Sequence, residues 1–193
     1  NRSIKIFTLT TEGISKSDIK LLKKNSRQVT KLSDEVDELQ ENIFNYLKSN
    51  KKANKKATEF YLIILEKLTQ ITKRLRKISK ITLKHVDEDR RKLPLSNIKV
   101  LLVVDLNFKR LFESVIHIFI NKDFKKIEDV LLDIIQSRDE IENQIKRYKE
   151  ENQDNKRYDK LHLEILSLCS EILNALKQLL ENYYSIKSET ELK

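Results

Sequence analysis

The chain has 193 residues, a formal net charge of +9, and only one Gly, one Pro and one Cys. This length suffices for one compact domain or two small helical halves. The scarcity of Gly and Pro excludes sheet-rich and loop-rich folds, which need these residues at their turns. A single cysteine, Cys169, excludes a disulfide framework and favours a reducing compartment. No apolar run approaches the ~20 residues that span a bilayer, and no signal-peptide pattern opens the chain.

The N-terminal residues do not carry an obvious helical pattern. The chain begins at Asn1 rather than at a Met, and we therefore expect it to be a piece of a longer protein. Residues 4–10 alternate apolar and polar side chains, which predicts an extended strap or strand over residues 1–14. Gly13 is predicted to make a turn, after which Ser15 is the expected N-cap of the first helix.

A first helical hairpin is predicted over residues 15–86. Apolar residues repeat at spacings of three and four on one helix that ends near Ser49, followed by a polar turn to Asn54. The seam of this helix consists of Ile19, Leu22, Val29, Leu32, Val36, Leu39, Ile43 and Tyr46. A second helix follows, with its apolar seam running from Tyr61 to Val86.

A charged segment from Asp87 to Leu95 separates this hairpin from a three-helix portion predicted over residues 96–186. Ser96 is the expected N-cap, and the third helix is apolar on nearly all faces around residues 100–104, so it is predicted to be the most buried helix. Two further helices follow, separated by a polar turn at residues 150–155, and residues 187–193 are predicted to be a polar tail. The fold prediction is an all-α antiparallel bundle of about five long helices.

Residues that could bind a metal are few and scattered. A phosphate-cradling loop needs several glycines, and this chain has one. His85, His117 and His162 fall on three different predicted helices. Glu113 and His117 share a helix face and offer two metal ligands, but a surface pair is the favoured interpretation.

The remaining reactive side chains also have structural interpretations. Cys169 lies beside the apolar seam of the last predicted helix and is interpreted as a small buried residue rather than a nucleophile. Asp139 and Glu142 are typical of any solvated helix face. The sequence therefore predicts no enzyme activity, no metal site and no cofactor.

Positive charge is concentrated on the second predicted helix. Lys73, Lys77, Lys80 and Lys84 repeat at helical spacing and are called the basic stripe below. Such a stripe binds anionic lipid headgroups, nucleic-acid phosphates or small anions, or it is simply a solvated face. Nucleic acid is the weaker candidate, because aromatic residues are not interleaved with the basic ones.

The end of the second helix and the start of the third carry a recognisable motif. The helix closes with a His-Val-Asp signature, a charged loop follows, and a Pro-Leu pair opens the next helix; these residues are His85, Val86, Asp87, Pro94 and Leu95. The motif resembles the PhoU-like cytoplasmic domain at the C-terminus of bacterial sodium/phosphate symporters, in the form found in Bacteroidetes.

Other segments extend this resemblance over almost the whole chain. Residues 13–24 are similar to the entry into the first helix of that domain, and residues 124–149 and 161–179 match its closing helices in pattern. The resemblance implies a helical bundle, often built from two related halves. It also implies an E-x-x-x-D metal motif, which here falls on Arg76 and Lys80. Because two cations cannot hold Fe or Zn, the metal site is not carried over.

The resemblance implies a non-catalytic regulatory or assembly domain of a sodium-dependent inorganic phosphate transporter, located at the cytoplasmic face of the plasma membrane. Its expected partner is the transmembrane part of the same transporter, and an anionic membrane surface and a homodimer are further candidates. One alternative is a free-standing soluble PhoU-like regulator of phosphate signalling. Another is a basic helical scaffold that binds nucleic acid.

Overall fold

The computed structural model describes residues 2–49, 55–89, 92–151 and 160–191. Within these residues the fold is all-α and contains no strand, which confirms the predicted fold class. The described helices number six rather than about five: α1 Arg2–Lys16, α2 Ile19–Ser49, α3 Lys55–Lys84, α4 Leu95–Asn121, α5 Ile127–Glu151 and α6 Lys160–Glu191. A π-helical turn, His85–Asp89, follows α3, and a 3-10 turn, Phe124–Lys126, precedes α5.

The additional helix is α1, where an extended strap was predicted over residues 1–14. That prediction is wrong because the buried positions of α1 recur with helical periodicity and include Thr10 and Thr11. Both threonines look polar in the sequence. In the helix, however, Thr10 Oγ1 donates to the Ile6 carbonyl at 2.8 Å and Thr11 Oγ1 donates to the Phe7 carbonyl at 3.2 Å. With these hydroxyls satisfied inside the helix, the threonines can face the core.

A two-residue turn links α1 to α2. Ser17 has a left-handed backbone, with φ of 52°. The amide of Asp18 donates to the Gly13 carbonyl at 2.8 Å, and the amide of Ser17 donates to the Ile14 carbonyl at 3.2 Å, which together form a Schellman motif. Asp18 Oδ1 then accepts a hydrogen bond from the amide of Leu21 at 2.9 Å. Asp18 is therefore the N-cap of α2.

This turn contradicts the predicted roles of Gly13 and Ser15. Ser15 is not an N-cap, because it lies in the last turn of α1 and donates to the Glu12 carbonyl at 2.9 Å. Gly13 makes no turn either, because it is a buried residue inside α1. A Cβ at position 13 would lie 2.6 Å from Leu22 Cδ2, so Gly13 allows α1 to approach α2 closely.

The six helices form two layers. The first layer consists of α2, α3, α6 and α5 in that order across the bundle, and α1 and α4 lie on it and contact each other. In the first half of the chain, α1 packs against both α2 and α3. In the second half, α4 packs against both α5 and α6. The chain therefore folds as two three-helix halves that meet through α3 with α6 and through α1 with α4.

The core lies between the two layers and is closed by aromatic residues. Phe7 of α1 and Phe108 of α4 are buried with their ring centroids 4.7 Å apart. This contact joins the two helices of the second layer. Towards the C-terminal end of α6, Tyr183 stacks on Phe119 at 4.3 Å and lies 5.3 Å from Phe124. These contacts connect α6 to the end of α4 and to the 3-10 turn.

Two predicted boundaries differ from the structure. The predicted tail at residues 187–193 is wrong as far as Glu191, where α6 ends, because no Gly or Pro interrupts the helix after Tyr183. The helix α4 begins at Leu95, with Pro94 rather than Ser96 at its N-cap position. The Pro94 carbonyl accepts a hydrogen bond from the amide of Ile98 at 3.1 Å, so the helical pattern already includes Ser96.

The two predicted polar turns lie partly outside the residues that the structure describes. The helix α2 ends at Ser49, as predicted. The rest of the predicted turn to Asn54 lies outside the described residues, as do residues 152–155 of the second polar turn.

Candidate interaction surfaces

The basic stripe lies on the solvent-facing side of α3. Lys73, Lys77, Lys80 and Lys84 are all exposed, as the helical spacing predicted. Lys77 Nζ is 3.0 Å from Glu164 Oε1 of α6, and Lys84 Nζ is 3.7 Å from Glu88 Oε2. Lys73 and Lys80 have no ion pair within the described part of the chain. The acidic residues nearby therefore offset about half of the stripe, although exposed pairs of this kind contribute only ~0–1 kcal/mol each.

The two positions at which the resemblance places a metal motif are also on this exposed side. Arg76 and Lys80 both point to solvent. Among the described residues, no group of three or more His, Cys, Asp or Glu side chains is placed to hold a metal ion. That the chain binds no metal stays a prediction.

The His-Val-Asp signature forms the π-helical turn that prolongs α3. Val86 is buried, His85 is half-buried, and Asp87 is exposed with Oδ2 3.8 Å from Lys23 Nζ of α2. The signature thus packs the end of α3 against the core and lies near the start of α2.

The Pro-Leu pair of the same motif opens α4. Pro94 occupies the N-cap position with φ of −54°, and the preceding Leu93 is buried. Leu95 in contrast is largely exposed. These residues position the beginning of α4 and leave an apolar side chain in solvent.

The three histidines lie on three separate elements, as predicted. His162 of α6 is buried, with its ring 5.2 Å from that of Tyr148. His85 belongs to the π-helical turn, and His117 is exposed on α4. Glu113 and His117 both line a groove between α4 and the beginning of α5, which agrees with the predicted shared helix face. The described residues add no third acidic, His or Cys ligand there.

The other candidate reactive residues are one buried cysteine and two exposed carboxylates. Cys169 is fully buried, as predicted, and that it is not a nucleophile stays a prediction. Burial raises the pKa of its thiol, and the carboxylate of Asp105 raises it further, so the thiol stays protonated. Asp139 and Glu142 are exposed and share one cation, since Arg138 lies 3.4 Å from each. They form a surface ion-pair network with Arg138.

The exposed side of α4 is the main feature that the sequence did not predict. The helix was expected to be the most buried, because it is apolar on nearly all faces. The structure buries only one side of it, whereas Leu102, Val103 and Leu106 are 46%, 56% and 68% exposed. We call these three residues, together with Leu95, the α4 apolar face. A contiguous apolar face of this kind marks an interaction site more often than an isolated exposed leucine does.

A second surface feature, which we call the basic groove, adjoins the α4 apolar face. It has a volume of about 450 Å³ and runs between α4 and the beginning of α5. Its cationic side chains are Lys109 and Arg110 from α4 and Lys126 from the 3-10 turn. Arg110 pairs with Asp133, and Lys126 Nζ lies 2.9 Å from Asp123 Oδ2. The groove is open to solvent, so these ion pairs are accessible to a competing anion.

A second groove is almost entirely apolar. It has a volume of about 340 Å³ and lies among α1, α3, α4 and α6, with Ile64, Phe112 and Leu176 in its walls. Only two lining residues, Ser3 and Thr72, carry polar side-chain atoms. A ligand site usually has several convergent polar groups that fix the orientation of the ligand, and this groove has few.

One carboxyl group lies at the junction of α1 and α4. Thr8 Oγ1 donates to Asp105 Oδ1 at 2.8 Å across the two helices. Burial raises the pKa of Asp105, while the Thr8 hydrogen bond and the charge of Lys109 lower it. The net effect is a raised pKa, because burial is the largest contribution.

No protein-family model matches the chain, and neither a curated protein nor a solved structure shows significant similarity to it. Among the described residues, none of the helices combines the length and apolar character that a membrane-spanning helix needs.

Proposed function

We propose that this chain is a non-catalytic regulatory or assembly domain, related to PhoU, of a sodium-dependent phosphate transporter. The proposal places the domain at the cytoplasmic face of the plasma membrane, next to the transmembrane part of the same transporter. It starts from the resemblance carried by His85, Val86, Asp87, Pro94 and Leu95.

The observation that carries the proposal furthest is the division of the fold into two three-helix halves. The resemblance implies two related halves, and the sequence pattern by itself left only two helices in the first of them. With α1, each half has one helix covering two others, and equivalent helices of the two halves meet: α3 with α6 and α1 with α4. This repeated arrangement supports a PhoU-like domain.

A regulatory rather than catalytic role is supported by the chemistry of the described side chains. Among the described residues, the two groups whose pKa is raised mainly by burial are the half-buried carboxyl of Asp105, which accepts a hydrogen bond from Thr8, and the fully buried thiol of Cys169. The exposed features are instead apolar and basic surfaces, which are typical of contact with another macromolecule or with lipid.

Phosphate uptake in the native host tests this function. A strain that lacks this domain but retains the rest of the transporter should take up phosphate at an altered rate, or should no longer adjust uptake to the external phosphate concentration. A strain carrying Leu132→Ser, a change at an exposed position of α5, is the matched control and should behave as the parent does. If the deletion strain expresses the transporter normally and its uptake and control are unchanged, the proposal is wrong.

The alternative of a free-standing regulator differs in gene organisation. Several apolar segments of ~20 residues encoded upstream of Asn1 would favour the transporter domain. A start codon close to Asn1 would favour the soluble regulator, and a pull-down from cell extract would then be the experiment that identifies its partner.

A further inference from the structure

The α4 apolar face lies in the N-terminal half of α4, and the described residues cover it only in part. On the opposite side of α4, Leu101, Val104 and Phe108 are buried against the rest of the bundle. The exposed residues Leu95, Leu102 and Leu106 recur at intervals of seven and four, so they form one stripe along three turns. The arrangement is that of an amphipathic helix with a second apolar side, and this second side faces solvent.

Cations flank this stripe, and the exposed acids beside it are Glu113 of α4 and Glu140 of α5, which lines a groove with Lys99 and Val103. Lys99 and Lys109 lie on the exposed side of α4, before and after Leu102 and Leu106, and within the described residues neither forms an ion pair. The basic groove continues the same surface beyond Lys109. The exposed acid of α4 is Glu113, because Asp105 is half-buried and accepts its hydrogen bond from Thr8.

We propose that the α4 apolar face is a docking surface for an anionic lipid bilayer. Leu102, Val103 and Leu106 enter the boundary between headgroups and acyl chains, as the apolar side of an interfacial helix does. Lys99 and Lys109 contact the headgroup phosphates, and the basic groove takes a further phosphate in competition with the carboxylates of Asp123 and Asp133. The helix lies along the membrane surface rather than across it.

Charge decides between a bilayer and a second copy of the chain. Two copies that paired through α4 would bring together Lys99 and Lys109 of both molecules, and Glu113 and Glu140 would offset these cations locally, but each copy carries a net charge of +9. Repulsion between two chains of this charge disfavours association, whereas an anionic surface attracts the same chain. The basic stripe of α3 does not belong to this surface, because α3 and α4 lie in different layers and their exposed sides face away from the shared core.

This inference deepens the proposed function and rests on it for the presence of a membrane beside the domain. It names α4 as the membrane-facing element, where the sequence pointed to the basic stripe of α3. The two claims can fail separately, since lipid binding is measured with the purified chain and phosphate control is measured in cells.

A single tryptophan provides the test, because the chain contains none. We expect the fluorescence of Leu106→Trp to shift to shorter wavelength with phosphatidylcholine vesicles that contain phosphatidylglycerol, and not with phosphatidylcholine alone. Adding Leu102→Ser and Val103→Ser should weaken binding about tenfold or more, as should Lys99→Glu with Lys109→Glu. Raising the salt concentration should weaken it as well.

Matched controls separate the α4 surface from general effects. Leu132 of α5 is 65% exposed, close to the value for Leu106, and Leu132→Trp should show no shift with the same vesicles. Lys73→Glu with Lys80→Glu should leave the binding of Leu106→Trp nearly unchanged, apart from the loss of net charge. Circular dichroism of each variant shows that a change in binding does not come from unfolding.

Several results would overturn the inference. One is the absence of a shift with anionic vesicles. Another is a shift without lipid that grows with protein concentration, which would assign the surface to a second copy. A third is loss of binding in the variant of Lys73 and Lys80 alone, which would assign lipid binding to α3. Absent vesicle binding with altered uptake in the deletion strain would overturn this inference and leave the proposed function intact.

Discussion

At the ends of α1 and α4 the chain turns through two residues that are not glycine. Ser17 and Lys122 have φ values of 52° and 54°, in the left-handed region. A side chain with a Cβ costs roughly 1 kcal/mol in this conformation, and glycine avoids that cost. Both positions therefore store a small amount of unfavourable energy that a substitution can release.

Ser17→Gly should raise the free energy of unfolding by about 1 kcal/mol, because the Schellman turn then forms without left-handed strain. Urea denaturation followed by circular dichroism measures the change. Ser15→Gly is the matched control two residues earlier, and should lower stability by ~0.5–1 kcal/mol because Ser15 is helical. Equal effects of the two substitutions would contradict this account.

Asp105 links stability to pH. Its pKa is raised in the folded state, so folding favours the protonated carboxyl, and the ionised form lowers stability at neutral pH. Asp105→Asn should be more stable than the parent at pH 7. This advantage should shrink as the pH falls through the carboxyl range, since the parent then becomes protonated as well.

Thr8→Ala should change stability at pH 7 in the direction opposite to Asp105→Asn. It removes the hydroxyl that donates to the Asp105 carboxylate, so it should lower stability at pH 7 and have a smaller effect in acid. Denaturation curves over a pH series measure both variants. An advantage of Asp105→Asn that grows as the pH falls would show the wrong sign for the pKa shift.

At the scale of the element, α4 has two sides with opposite environments. Leu101→Ala should cost about 3 kcal/mol of stability, because Leu101 is buried and its loss leaves a cavity. Leu102→Ala, at the next position, should cost about 1 kcal/mol or less, because that side chain is 46% exposed. Urea denaturation compares the two adjacent leucines directly. A cost above 2 kcal/mol for Leu102→Ala would mean that this side chain is buried in solution.

The elements also show why some predictions failed. Residues 100–104 are apolar throughout, and such a segment predicts burial on every side, whereas Val103 is exposed because the described helices cover only part of α4. In α1, counting Thr10 and Thr11 as polar concealed the helical period. In α4 the deciding contacts lie outside the segment, whereas in α1 the threonine hydroxyls donate to carbonyls of the same helix.

At the scale of the whole molecule, the two halves share one core. α3 packs against α6 and α1 packs against α4, so neither half has its own closed apolar interior. We therefore expect a single cooperative unfolding transition. Thermal curves from circular dichroism and calorimetry should coincide, and the calorimetric and van't Hoff enthalpies should agree. Two separate transitions would show that α1–α3 and α4–α6 are independent domains.

The basic stripe shows how much of a candidate surface local sequence can specify. The exposure of Lys73, Lys77, Lys80 and Lys84 follows from helical spacing, which depends only on neighbouring residues. That Lys77 pairs with Glu164 does not follow from it, because the two residues are 87 positions apart and meet only when α3 packs on α6.

The sequence by itself determined that the chain is helical, where α2 ends, and which side of α3 is charged. These properties depend on the 3.6-residue period and on the scarcity of Gly and Pro, both of which are local. Only the tertiary structure decided that α1 completes the first half, that Gly13 allows close packing against Leu22, and that one apolar side of α4 stays open. Burial arises from contacts between distant residues, and a periodic pattern shows that a side is apolar without showing what covers it.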